Sequence, residues 1–281
     1  MPELPEVEVL VRHLAPLLHG KTIREVTVGR ERVIRPTGAR KLVAALRGKR
    51  FQSIERCGKF ILFHLGSGRE TIKVLGHLGM TGRMYLRPAR ESWPKHAAVV
   101  LNLGRTNFVY EDTRYFGRFT LDISSLDKLG PEPLGKEFSI DYLREALRSS
   151  AQAIKVKLLD QSLVAGVGNI YASEALHAAG ISPRRLSRRL KKNETERLRL
   201  AIIDTLRNAI EQGSTIPLDY AGTGSGDGLF YYGSSDEGEG NYEERLRVYD
   251  REGLPCHNCR NPIRRIVQAA RSTFYCPQCQ H

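Results

Sequence analysis

The sequence predicts an α+β chain of more than one domain. A strand-rich first half carries a helix at its start, a helical second half follows, and a small metal-binding hairpin closes the chain. Three observations carry that prediction. Between residues 21 and 123 the apolar residues fall in short runs broken by Gly and polar turns, as strands do. From 141 to 212 they recur every three or four positions, as on helices. The C-terminal segment holds Cys256-x2-Cys259 and Cys276-x2-Cys279, sixteen residues apart. A chain of 281 residues, 41% apolar and 27% charged, is long enough for two domains and excludes global disorder or coiled coil. At this length roughly 75% of the unfolded surface is buried without a disulfide scaffold.

Residues 2–19 read as a helix, with Val7, Leu10, Val11, Leu14, Leu17 and Leu18 at helical spacing and Gly20 as its stop. Strands are expected over 22–28, 50–65, 71–75, 97–103, 107–111 and 118–123, giving a β-sandwich or barrel that carries a helix. The run from Gly130 to Gly135, with two prolines, reads as a linker. Helices are expected over 141–148, 153–161, 170–179 and 194–212, the last with a capping box of Asn193 and Glu196 and a stop at Gly213. Residues 213–240 hold eight glycines and read as a mobile loop. The expected domains are therefore 1–130, 131–244 and 245–281.

Net charge is +13, with Lys and Arg numbering 44 against 31 Asp and Glu, so the partner expected is a polyanion, above all nucleic acid. No apolar run approaches a membrane span, and Phe60–Phe63 is typical of the longest. The first residues include Glu3, Glu6 and Glu8 and no basic-then-apolar leader, which predicts a cytoplasmic protein without a secretory signal. Cys256, Cys259, Cys276 and Cys279 have the spacing of one tetrahedral four-thiolate zinc site, closed and so structural. A pair of disulfides is the alternative, disfavoured in a cytoplasmic setting. Seven arginines from 245 onward keep this small segment positive even after the thiolates are counted, which suits a phosphate grip.

At the N-terminus, removal of Met1 would expose Pro2 as a secondary amine. Such an amine titrates near pH 8, so a usable fraction is a nucleophile able to form an iminium ion with an aldehyde-level carbon. Glu3 and Glu6 share one side of the first helical turn and can supply acid–base chemistry. Pro and acids at a helix start also serve simply to begin the helix.

The opening Met-Pro-Glu-Leu-Pro-Glu-Val-Glu resembles that of bacterial formamidopyrimidine-DNA glycosylases, and the resemblance runs the whole length. It returns in Gly58-Lys59-Phe60, in residues 77–82 (HLGMTG), 112–117 (DTRYFG) and 163–174 (LVAGVGNIYASE), and in 271–280 (RSTFYCPQCQ). It implies an N-terminal β-sandwich, a helix–two-turn–helix domain and a zinc-finger hairpin. The implied activity is removal of oxidised purines from double-stranded DNA and cleavage at the abasic site, by one monomer near the nucleoid. By resemblance, Pro2 attacks C1′ to form a Schiff base, Glu3 protonates the sugar ring oxygen and Glu6 supports proton transfer. Lys59 serves β-elimination and phosphate contact, and Arg271 serves δ-elimination. Glu174 would orient the N-terminal amine by its charge. Met80, Arg114 and Phe116 match the wedge that fills the gap left by an extruded base. His77, His96, Asn169, Tyr249 and Arg265 match DNA contacts, Asn169 at a helix N-terminus suited to phosphate.

The chain departs from the family pattern at several points. Ala98 stands where a second His is common after His96, and no basic residue precedes Ala153-Ile154-Lys155. Arg265 replaces the usual Lys, and Asp250 replaces Gly after Tyr249. The loop 215–243, which in the family covers the flipped base, is acidic here. Two rival readings remain in the sequence: an endonuclease VIII type acting on oxidised pyrimidines, whose opening has Gly where this chain has Leu4, and a non-catalytic zinc DNA-binding module.

Overall fold

The computed structural model describes residues 2–67, 70–213 and 246–281. Expectations about the Gly-rich acidic loop, including its role over a flipped base, lie outside the described residues. The described chain forms two compact units. One contains Pro2 and residues 6–127, and the other contains 3–5, 128–213 and 246–281.

The first unit is a sandwich of two antiparallel sheets. Helix α1 (Leu4–Leu18) begins two residues after the expected start and buries Val7, Leu10, Val11, Leu14 and Leu18, while Leu17 is exposed. One sheet has the order β2-β3-β4-β8 and the other β1-β6-β7-β5. The strands are β1 (Glu25–Val28), β2 (Arg50–Cys57), β3 (Phe60–Ser67), β4 (Glu70–His77), β5 (Gly82–Pro88), β6 (Ala97–Asn102), β7 (Thr106–Asp112) and β8 (Arg118–Thr120). The expected single run 50–65 is thus a hairpin, turned at Gly58, whose φ of 59° suits a residue without a Cβ. Strand β5 and helix α2 (Ala39–Leu46) were not expected: Met84-Tyr85-Leu86 breaks the alternation, and α2 has only two buried residues to show its period. Phe51, Phe63, Phe108 and Phe119 meet in the core with ring centroids 5.7 to 6.4 Å apart, each such pair contributing about 1 kcal/mol beyond area.

The second unit is helical: α3 (Ile140–Arg148), α4 (Ile154–Leu158), α5 (Asn169–Ala178) and α6 (Lys192–Glu211). Ser139 caps α3 by accepting from Tyr142 N–H at 3.1 Å. Helix α6 starts two residues before the expected point. Its capping carboxylate is Glu194, accepting from Lys191 N–H at 2.7 Å, and not Glu196. Every residue of α5 from Ile170 to His177 is buried, because Ala172, Ser173 and Ala175 leave room for neighbours on all sides. Strands β9 (Arg264–Gln268) and β10 (Arg271–Tyr275) form the expected terminal hairpin, which packs on α5 within this unit. Their turn, Ala269-Ala270, has φ of 48° and 57°, a left-handed pair normally given to Asn-Gly.

Candidate functional site

In the first unit, Pro2, Glu6 and Lys59 are all buried, Lys59 to 7% exposure although it sits at a hairpin tip. His77 is paired with Phe60 on β3 and Arg118 on β8. Its Nδ1 accepts from Gly79 N–H at 3.1 Å, so a neutral ring carries its proton on Nε2. Burial pushes its pKa down to about 4, helped by the charges of Lys59 and Arg118 and opposed by Asp112. His77 is therefore a neutral donor at pH 7.

Two turns at one end of the sandwich carry the expected wedge. Residues 78–81 join β4 to β5 and present Met80, 41% exposed; residues 113–117 join β7 to β8 and present Arg114 and Phe116, the latter 44% exposed. Apolar side chains of this size at turn tips do not serve the core. The Arg114 and Arg32 guanidinium carbons lie 4.9 and 5.5 Å from the Phe116 ring centroid. His96 Nδ1 is 3.2 Å from the Tyr115 hydroxyl, which also accepts from Arg30 Nε at 3.0 Å. Arg30 and Arg32 had no signal beyond their charge in the sequence.

In the second unit, Glu3 lies across the N-terminus of α5. Its oxygens accept from Ile170 N–H at 2.9 Å and Tyr171 N–H at 3.3 Å, where the helix dipole favours a carboxylate. These amides were expected to face phosphate; the structure gives them to Glu3. Leu4 N–H donates to Gly166 O at 3.0 Å, and a Cβ on Gly168 would lie 2.3 Å from Glu3 Cδ. The glycines of the 163–174 motif are thus needed for the close approach of residues 3 and 4.

Around Glu3 the unit gathers Lys155, Asn169, Tyr249 and Arg271. Lys155, fully buried, donates to Asn169 Oδ1 and, at 3.2 Å, to the Thr273 hydroxyl. Burial pushes its ammonium down to about 8, with Glu3 opposing and Arg271 adding to the shift. Asn169 Nδ2 donates to Ser272 O at 2.9 Å, tying α5 to the hairpin that bears Arg271. Burial raises the Tyr249 pKa, and its ring stands edge-on to Phe274 at 5.3 Å. Arg265 donates to the Ser272 hydroxyl at 3.0 Å. Glu174 is buried one turn inside α5. Both oxygens are taken by the N–H groups of Arg247, Val248 and Tyr249 at 2.8 to 2.9 Å, so it anchors the returning chain to α5. Lys155 was missed as a site residue; a lysine between Ile154 and Val156 on a buried helix is the signal that could have found it.

The four cysteines converge, all four Sγ atoms lying within 4.8 Å of one another, with Cys256–Cys279 at 3.9 Å and Cys259–Cys276 at 3.4 Å. Zinc bonded to four thiolates requires Sγ separations of roughly 3.8 Å, so the set fits one tetrahedral ion with no open position. Arg260, at φ 65°, and the Arg260 N–H to Cys256 O bond of 2.9 Å form the tight turn that aims the first pair. His177 Nε2 lies 3.6 Å from Cys256 Sγ, a contact the sequence did not signal.

Three family models match in order: the formamidopyrimidine-DNA glycosylase N-terminal domain over 1–119, the helix–two-turn–helix domain of the same enzymes over 129–219, and a zinc finger found in them and in isoleucyl-tRNA synthetase over 253–281. The chain belongs to the formamidopyrimidine-DNA glycosylase family. Among its relatives, the formamidopyrimidine-DNA glycosylase of Carboxydothermus hydrogenoformans is 39% identical with all of both chains covered. That of Thermus thermophilus is 40% identical over all of this chain and 98% of its own. Solved structures of the Lactococcus lactis glycosylase are similar at 32% identity over 99% of both chains: one with DNA containing Fapy-dG, at a TM-score of 0.86, and one with DNA containing an abasic site, at 0.85. Among the described residues no helix is long and apolar enough to cross a membrane.

Proposed function

We propose that this chain excises oxidised purines, 8-oxoguanine and formamidopyrimidines, from duplex DNA and then cuts the strand at the abasic site. The observation that carries the reading is Glu3 fixed on the N–H groups of Ile170 and Tyr171 beside Lys155, Asn169 and Arg271, with Pro2 as its covalent neighbour. With Met1 removed, the Pro2 nitrogen lone pair bonds to C1′, and the base leaves with the glycosidic electrons and takes up the proton that the Pro2 nitrogen sheds. Glu3 gives its proton to the ring oxygen, and the ring opens to an iminium on Pro2. The iminium acidifies the C2′ hydrogen. Loss of that proton expels the 3′ phosphate, in which Lys59 takes part, and a second elimination expels the 5′ phosphate, in which Arg271 takes part. Glu6 assists the proton transfers. Glu174, which also anchors the tail, orients the N-terminal amine by its charge.

Met80, Arg114 and Phe116 fill the gap left by the extruded nucleotide, and His77, His96, Asn169, Tyr249 and Arg265 meet the backbone. The domains in this reading are 1–130, 131–244 and 245–281, and the enzyme acts as a monomer on chromosomal DNA in the bacterial cytoplasm. The test is borohydride trapping on duplexes containing 8-oxoguanine, a formamidopyrimidine or an oxidised pyrimidine. Trapping that ranks the two purine lesions first supports the proposal. Preference for the pyrimidine would move the chain to the endonuclease VIII type, and binding without an adduct would make it a non-catalytic module.

A further inference from the structure

Asp112 is fully buried, yet among the described residues its carboxylate touches no cationic side chain at hydrogen-bond distance. A buried carboxylate is costly unless its oxygens are satisfied, so what satisfies them indicates what it is for. Oδ1 accepts from the Thr81 hydroxyl at 2.6 Å and Arg114 N–H at 3.1 Å; Oδ2 accepts from Gly117 N–H at 2.9 Å, with the Tyr110 hydroxyl 3.5 Å away. Thr81 Oγ1 in turn lies 3.2 Å from Arg114 N–H. Every one of these partners but Tyr110 lies in one of the two wedge-bearing turns.

The backbone of the two turns is fitted equally closely. Each turn crosses from one sheet to the other, starting and ending at the paired positions His77–Arg118 and Gly82–Asp112. A Cβ on Gly79, whose φ is 64°, would lie 2.6 Å from Gly117 N, and one on Gly117 would lie 1.8 Å from the Tyr110 hydroxyl. Between the side chains, the bond from Thr81 to Asp112 spans the two turns, whereas the bonds from Arg114 and Gly117 hold Asp112 to its own turn.

We propose that Thr81 and Asp112 form a latch that fixes the turn bearing Met80 to the turn bearing Arg114 and Phe116, so that the three side chains enter the duplex as one rigid body. This rests on the reading of those three residues as a wedge. Thr81 and Asp112 are positioning residues: they touch no DNA themselves and act by sparing the duplex-opening step the ordering of two independent loops. A latch of this kind matters most when the target base is firmly stacked and paired, and least when extrusion is already cheap.

The experiment compares Thr81→Val, Thr81→Ser and Phe116→Ala by single-turnover excision of 8-oxoguanine from a fully paired duplex and from one where the lesion faces a gap. Thr81→Val keeps the side-chain shape and removes the bridging hydroxyl; Thr81→Ser keeps the hydroxyl. Thr81→Val should slow excision from the paired duplex roughly tenfold, the size of one hydrogen bond to a charged group. The defect should be less than about twofold opposite the gap, Thr81→Ser should restore the rate, and the salt dependence of binding should not move. A loss from Thr81→Val that is equal on both duplexes, or no loss, while Phe116→Ala remains pairing-dependent, overturns the latch alone. If Phe116→Ala is itself indifferent to pairing, the wedge reading falls and the latch with it.

Discussion

Replacing Gly168 with Ala isolates the placement of Glu3 from everything else in the second unit. Gly168 has φ −135°, extended backbone that alanine adopts freely, so the substitution acts by volume and not by backbone strain. The new Cβ would stand 2.3 Å from Glu3 Cδ and 2.5 and 2.7 Å from its two oxygens. Carbon contacts need about 3.5 Å, so the carboxylate must retreat by roughly 1 Å. That breaks bonds of 2.9 and 3.3 Å to Ile170 and Tyr171 N–H and strands both amides at a helix start. Each bond to a charged group contributes about 1.5 to 3 kcal/mol, and a catalytic group displaced by about 1 Å costs on the order of 100-fold in rate. Borohydride trapping under single-turnover conditions should therefore slow about 100-fold, while binding to an abasic analogue stays within a few-fold. If Gly168→Ala traps at the wild-type rate while Glu3→Gln does not trap, this turn does not set the position of Glu3.

Four further outcomes are expected. Cys276→Ser should release zinc, measured by metal analysis, and weaken DNA binding through loss of the hairpin that presents Arg271; fresh, unoxidised protein that contains no zinc would rule the centre out. His177→Leu should accelerate zinc loss to a chelator, because it removes the N–H beside Cys256 Sγ. His77 has its folded pKa depressed from the ordinary 6.5 to about 4, so the unfolded chain takes up a proton first as pH falls. Its contribution to stability is complete above about pH 6.5 and is lost between there and pH 4, and His77→Asn should flatten that part of a stability–pH curve. Replacing Ala269-Ala270 by Asn-Gly should stabilise the hairpin by about 1 kcal/mol, read in zinc-loaded melts, since two alanines now occupy left-handed positions.

The legible part of this molecule is the part whose cause is local. Cys256, Cys259, Cys276 and Cys279 carry their geometry in their spacing, and helix α6 carries its own in its period and its stop at Gly213. Hairpins were harder. Strands β2 and β3 merge into one apolar run in the sequence because the turn at Gly58-Lys59 has only a single glycine to mark it. The capping box of α6 lies two residues before the expected Asn193 and Glu196, because Lys191 is not a typical capping residue and the signal lies in Glu194 alone. Helix α2 and strand β5 escaped because packing decides them more than composition does.

The illegible part is a set of buried charges. Asp112, Glu174, Lys155 and Glu3 are each almost fully enclosed, and none of their hydrogen-bond partners could be assigned from the sequence. Glu174 reaches amides more than seventy residues away, Lys155 reaches Thr273, and Glu3 reaches Ile170 and Tyr171. Apolar residues of the same size at these positions would bury more area at less desolvation cost, so stability does not account for them. Each one instead ties segments that bear expected site residues: Asp112 the two turns of the wedge, Glu174 the chain at Tyr249, Lys155 the position of Asn169 against the hairpin of Arg271, and Glu3 the chain start beside Pro2. A charge buried among backbone N–H groups tolerates little displacement, because any shift strands a donor or the charge itself. Within each unit, the proposed chemistry requires that intolerance of side chains drawn from distant stretches of chain, and the cost of burying each charge is the cost of holding its own segments in register.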